Sequence, residues 1–250
     1  MLEARVIPVL LVSSGRLVKT TQFKKENYIG DPINTVKIFN EKYVDEIVIL
    51  DISATREGRG PDYSLIQRLT DEAFMPFAYG GGITRVDEVK KILRMGVEKV
   101  VLGTSAFTNP NLITESADRF GSQSVVVSVD VRNNIFGKPK VYVRNGRRNT
   151  KVDPLEYAGI SASLGAGEII LNNINRDGTF MGYDIDMIKS FTSQLDIPVV
   201  AVGGANSPKN LLAAIRDGGA SAAAAGSMFV YFGPNKAVLI NYPWEDLRIK

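Results

Sequence analysis

No cysteine and no histidine occur among the 250 residues, and tryptophan occurs once. Without cysteine there are no disulfides, thiol nucleophiles or thiolate metal ligands. Without histidine there is no Ser-His-Asp triad and no imidazole ligand. Neither a metal nor a cofactor is therefore expected, and any proton transfer falls to Asp, Glu, Lys or Tyr. Long apolar runs are also missing: none reaches the roughly 18 residues of a membrane span, and Met1–Arg5 has no signal-peptide character. The expected address is the cytoplasm, with no membrane partner. A charge excess is missing too, since 30 Lys and Arg face 27 Asp and Glu for a net +3. That is too small to argue for nucleic acid, although a pI near 9.0 suits phosphorylated ligands.

What is present is a repeat. Arg5–Val12 is an apolar run, followed by Leu50-Asp51, Arg56-Glu57-Gly58, Tyr79–Ile83 and Val101–Phe107. About 120 residues on, Val125–Val131 is a second such run, followed by Leu171-Asn172, Arg176–Thr179, Val202–Ala205 and Ala224–Phe229. Internal repetition fixes architecture before any other signal. It pairs Leu11 with Asp130 and Leu50-Asp51 with Leu171-Asn172.

Eight short apolar runs alternate with amphipathic segments: Val6–Val12, Ile47–Ile52, Phe77–Gly80, Val100–Gly103, Ser124–Asp130, Ile169–Asn172, Val199–Val202 and Ala222–Ala225. Apolar throughout, they read as parallel strands covered by helices. The helical segments include Asp62–Ala73, Arg85–Met95, Asn111–Arg119, Asp184–Gln194 and Pro208–Asp217. With no linker or composition break, the expectation is one (β/α)8 barrel over residues 1–250, built of half-barrels of about 1–120 and 121–250. Pro8, Pro76 and Pro198 are placed at strand beginnings, where a missing N–H is tolerated. Gly15–Asp31 reads as a long polar loop. Lys138–Lys151 reads as a hairpin turning at Asn145-Gly146.

Strand ends carry the candidate chemistry. Gly81, Gly82, Gly103 and Thr104 end strands three and four; Gly203, Gly204, Gly226 and Ser227 end strands seven and eight. Such glycines let backbone N–H groups approach a phosphate, and the loops after strands seven and eight are the usual phosphate site of these barrels. Two grips would suit a phosphorylated small molecule charged at both ends; the plainer reading is tight turns. Asp130 is placed at the end of strand five as a general acid or base, with capping of the next loop as the plainer reading. Asp51, Asn172, Asp177 and Gly178 add polar groups at the mouth, and Lys19 is placed in a mobile loop that closes over an anion. At the opposite end Arg5, Glu46, Lys99 and Glu168 precede strands, as a salt-bridge ring or as solvated edges.

These residues resemble those of one family along essentially the whole chain: the HisF family, the cyclase subunit of imidazole glycerol phosphate synthase. The resemblance is carried by Ile7-Pro8, Gly15–Lys19, Gly30–Pro32, Leu50–Ile52, Gly80–Ile83, Phe120–Gln123, Asp130, Gly165–Glu168, Asn175–Thr179 and Gly182–Asp184. It implies a barrel that receives ammonia from a glutaminase partner at its bottom face and uses it at the top on a doubly phosphorylated substrate. It implies that Arg5, Glu46, Lys99 and Glu168 form the ammonia gate, and that Glu98, where aspartate is usual, lies at the glutaminase interface. The top departs from the pattern. Leu11 stands where the second catalytic aspartate is usual, Gly103 where asparagine is, Val101 and Val202 where serines are, and Asn172 where threonine is.

Two readings follow. In the first, the chain delivers ammonia without performing the cyclisation, as paralogues do in lipopolysaccharide and surface-glycan pathways that build acetamidino sugars, with a sugar amidotransferase covering the top face. In the alternative, it is an active cyclase of histidine biosynthesis in which Asp51 or a water replaces the acid missing at Leu11. A related sugar-phosphate isomerase is a weaker third.

Overall fold

The computed structural model describes residues 5–243, so Met1–Ala4, the start of the segment read for targeting, lies outside the described residues. Eight parallel strands close on themselves: β1 (Arg5–Ser13), β4 (Ile47–Asp51), β5 (Phe77–Gly80), β6 (Lys99–Leu102), β7 (Val125–Asn133), β10 (Glu168–Asn173), β11 (Val199–Val202) and β12 (Ala222–Ala225), which pairs back to β1. Helices join them, and the architecture is a (β/α)8 barrel. Their N-termini follow sequence logic: the side chains of Asp31, Asp62, Asp153 and Asp184 each accept a hydrogen bond from a first-turn amide. Among the described residues no helix is long and apolar enough to cross a membrane.

Side-chain alternation splits the apolar residues into two cores. Ile7, Val9 and Leu11 of β1 point into the barrel with Val48, Ala78, Val126, Ile170, Val200, Ala222 and Ala224. Their neighbours, Val6, Leu10 and Val12 among them, point outward against the helices.

Four expectations change. Gly15–Asp31 is not simply a loop: β2 (Arg16–Lys19) pairs antiparallel with the end of β1 and with β3 (Asn27–Gly30). Pro8 lies inside β1, where the strand hands over from pairing with β12 (Arg5–Pro8) to pairing with β4 (Val9–Val12). Asp130 is not terminal either, because β7 runs on to Asn133 and pairs with β8 (Pro139–Val143), which pairs with β9 (Arg148–Asn149). The hairpin turn stands as read: Arg147 N donates to the Arg144 carbonyl across Asn145 and Gly146, both at positive φ as a type I′ turn requires. A further small hairpin, β13 (Tyr231–Phe232) with β14 (Ala237–Val238), follows the last barrel strand.

The fourth change concerns the repeat. In the ladders Leu11 stands opposite Leu50, and Asp130 opposite Asn172. With Leu11 and Asp130 as counterparts, Leu50 therefore matches Asn172, and Asp51 matches Asn173, one residue away from the sequence alignment. The glycines agree. A Cβ on Gly81 would stand 2.5 Å from the Asp51 carbonyl oxygen, and one on Gly203 would stand 2.7 Å from that of Asn173.

Candidate functional site

At the C-terminal ends of the strands lies a cavity of roughly 240 Å³ that reaches down into the barrel. Every residue put forward for ligand binding lines it: Leu11, Lys19, Asp51 and Asp130; the first-half glycines with Thr104; Asn172, Asp177 and Gly178; and the second-half glycines with Ser227. Hydrophobic collapse brings these together, because each follows a strand whose alternate residues are committed to the inner or outer core.

The walls are chemically unequal. On one side Asp130 accepts from the Ser128 hydroxyl at 3.2 Å and stands opposite Asn172 in the ladder, whose side chain favours the charged carboxylate. Burial is the largest influence on the Asp130 carboxyl and pushes its pKa up to about 7; nearby Asp177 pushes the same way, against the hydrogen bonds and Arg132. A carboxyl poised there is suited to exchange protons near neutral pH. Across the barrel, the matching positions are Leu11 and Leu50, while Val101 and Val202 stand on the strands beside the polar pair, Val202 opposite Asn172. Both members of the polar pair are thus apolar in the other half.

Asp51 is occupied elsewhere. Its Oδ1 accepts from the amides of Ser53 and Ala54 and from the Ser53 hydroxyl, at 3.0–3.1 Å, and Arg59 pairs with its Oδ2 at 2.9 Å. It organises the loop after β4 and is a poor substitute for a missing acid.

Lys19 is also not where the sequence placed it. It ends β2, is buried, and its ammonium lies 3.3 Å from Asp177 and within 2.7 Å of where a Gly226 Cβ would stand. A cation is therefore already folded in beside the second-half glycines. In the first half the Thr104 hydroxyl accepts from the Arg144 amide at 2.9 Å, and the Asn145 amide donates to the Ile52 carbonyl, so the hairpin turn rests across the mouth. Arg132 fixes it there through the Gly146 and Gln22 carbonyls. Sequence reading missed Ser128, Asn145, Arg147 and Phe23, all of which line the cavity. Ser128 alone had a signal, two residues before Asp130 on the same face.

At the other end Arg5, Glu46, Lys99 and Glu168 meet in a closed ring. Arg5 bridges Glu46 and Glu168, and Lys99 bridges the same two carboxylates at 3.0 Å each. Burial works against the Arg5 charge, and the two carboxylates outweigh it, raising its pKa. Both glutamates are buried, so they need these partners. Glu98 lies next to Lys99 and is exposed.

Residues 5–235 match the family described as histidine biosynthesis protein. The chain belongs to the HisF family. It is 48% identical over 244 residues to a Vibrio vulnificus protein provisionally named imidazole glycerol phosphate synthase subunit hisF3, covering 97% of this chain and 94% of that one. It is 47% identical over 243 residues to a Pseudomonas aeruginosa protein provisionally named as subunit hisF2, covering 97% of each. An Alkaliphilus metalliredigens protein named subunit HisF without qualification is 41% identical over 231 residues, 92% of each chain. The Vibrio and Pseudomonas relatives thus carry numbered, provisional names.

Proposed function

We propose that the chain is a HisF-like synthase subunit of a glutamine amidotransferase complex that no longer performs the cyclisation. Ammonia from a glutaminase partner on the N-terminal face enters at the ring of Arg5, Glu46, Lys99 and Glu168. Glu98 lies at that interface. The ammonia crosses the apolar interior and meets an acceptor beside Asp130. Lys19, with the glycines after strands seven and eight, holds an anionic end of that acceptor, and Gly82, Gly103 and Thr104 form the matching site. The observation that carries the reading is the unequal cavity: Asp130 with Asn172 on one side, Leu11 with Leu50 on the other. Losing one member of an acid/base pair removes about 10²–10⁴ in rate, and here its polar neighbour is absent as well. The numbered names of similar relatives fit a paralogue. That the acceptor is a sugar converted to an acetamidino derivative for lipopolysaccharide, with a sugar amidotransferase on the C-terminal face, rests on the resemblance alone.

The competing reading is a working cyclase of histidine biosynthesis. It draws on the unqualified name of the Alkaliphilus relative, but the bonding of Asp51 leaves it without a second acid. Turnover of the doubly phosphorylated histidine-pathway substrate by the purified chain, with saturating ammonium salt, separates the two. We expect none from folded protein; turnover at the rate of an ordinary cyclase would overturn the proposal.

A further inference from the structure

The hairpin that rests across the cavity mouth has a second face. Between Val131 and Val152 the chain carries seven of its 30 cationic residues and none of its 27 acidic ones, so the remainder of the molecule is net −4. None of the seven forms an ion pair among the described residues, and Lys138, Arg148 and Lys151 are exposed. At the apex of the β7–β8 turn, Ile135 and Phe136 are 93% and 79% exposed, side by side. The turn beneath them is ordered, with the Asn134 side chain accepting from the amides of Phe136 and Lys138. Two large apolar side chains held outward at a structured tip, flanked by unpaired cations, are not explained by the barrel's own packing.

We propose that this hairpin attaches the chain to an anionic membrane surface, with Ile135 and Phe136 entering the headgroup layer and Lys138, Lys140, Arg148 and Lys151 meeting lipid phosphates. An apolar tip set in a polybasic segment is the pattern of interfacial binding, and clusters of 4–8 Lys or Arg are its electrostatic half. A nucleic acid would account for the cations but offers Ile135 and Phe136 no apolar layer to enter. The proposal stands apart from the ammonia reading, since lipid binding is measured without any reaction.

The test is flotation of the full chain with phosphatidylcholine vesicles, with and without half phosphatidylglycerol, at about 0.1 M salt. We expect co-flotation with the anionic vesicles only. The double substitution Ile135→Ser/Phe136→Ser, and separately Lys138→Glu/Lys140→Glu, should each lower binding about tenfold or more. Both pairs are at the surface of the hairpin, and thermal melting checks the fold. Phe136→Trp, made in a chain with Trp244→Phe, should shift its emission to the blue on anionic vesicles and be quenched by brominated lipid. No co-flotation, or an unquenched tryptophan, overturns the proposal. So does preferential retention by an acidic polypeptide or duplex DNA, which would reassign the surface.

Discussion

Asp130 makes stability depend on pH. Its pKa is raised to about 7 in the folded chain, chiefly by burial, against 3.8 as its ordinary value. The folded state therefore binds the proton more tightly than the unfolded state, and Asp130 lowers stability progressively as pH rises from about 4 to 7. Asp130→Asn keeps the shape and removes the titration. We expect wild type and variant to be close near pH 4 and the variant to gain by up to a few kcal/mol by pH 8. Denaturant midpoints across that range decide it, and parallel curves would sink the assignment. Position 11 tests the pairing read from the ladders. Leu11→Asp places a carboxylate against Leu50, at a cost of about 1–3 kcal/mol. Adding Leu50→Asn rebuilds the Asp130–Asn172 arrangement in the first half, and should recover about 0.5 kcal/mol or more in a double-mutant cycle. Strict additivity would mean that these side chains do not meet.

Between elements, the glycines divide by what surrounds them. Gly81 has φ of +127° and no room for a Cβ against the loop after β4, and Gly203 has φ of +103° against the Asn173 carbonyl. Alanine at either site should destabilise by about 3 kcal/mol or more. Gly103 has negative φ and open space where a Cβ would stand, so Gly103→Ala should change the melting temperature by no more than a degree or two. Equal losses at all three positions would contradict this geometry. The strands themselves were legible because burial on both faces writes an unbroken apolar run; Phe77–Gly80, Val199–Val202 and Ala222–Ala225 are found as read. The Asn145-Gly146 turn was legible because its backbone demands those residue types. Less visible was β2: Arg16–Lys19 is short and becomes a strand only by pairing with β1 and β3, which also buries Lys19. The repeat alignment slipped by one residue because both halves continue with similar aliphatic residues there, and only the ladder registers resolve it. Residues that come to the cavity from the hairpin, such as Asn145 and Arg147, had no local signal, since their role arises from the turn folding back over a distant strand.

The whole molecule joins two ends of one barrel. The ring of Arg5, Glu46, Lys99 and Glu168 closes one end, the cavity opens the other, and between them lies an apolar interior that includes small residues such as Ala78 and Ala222. An interior of that kind favours neutral ammonia over ammonium, because a bare cation there loses its hydration with no carboxylate to pair with. Ala222 stands at the level of Arg5 in the ladder and is fully buried, well below the cavity lining. Ala222→Leu should therefore obstruct passage while leaving the mouth intact, with overpacking of about 1–3 kcal/mol. With the glutaminase partner bound and the acceptor supplied, product formation from glutamine should fall at least about tenfold, whereas formation from added ammonium salt should hold near wild type. On the proposed route the two sources enter at different ends, so their ratio isolates the interior path from damage to the site. Were both to fall together, the barrel would not be the route that ammonia takes.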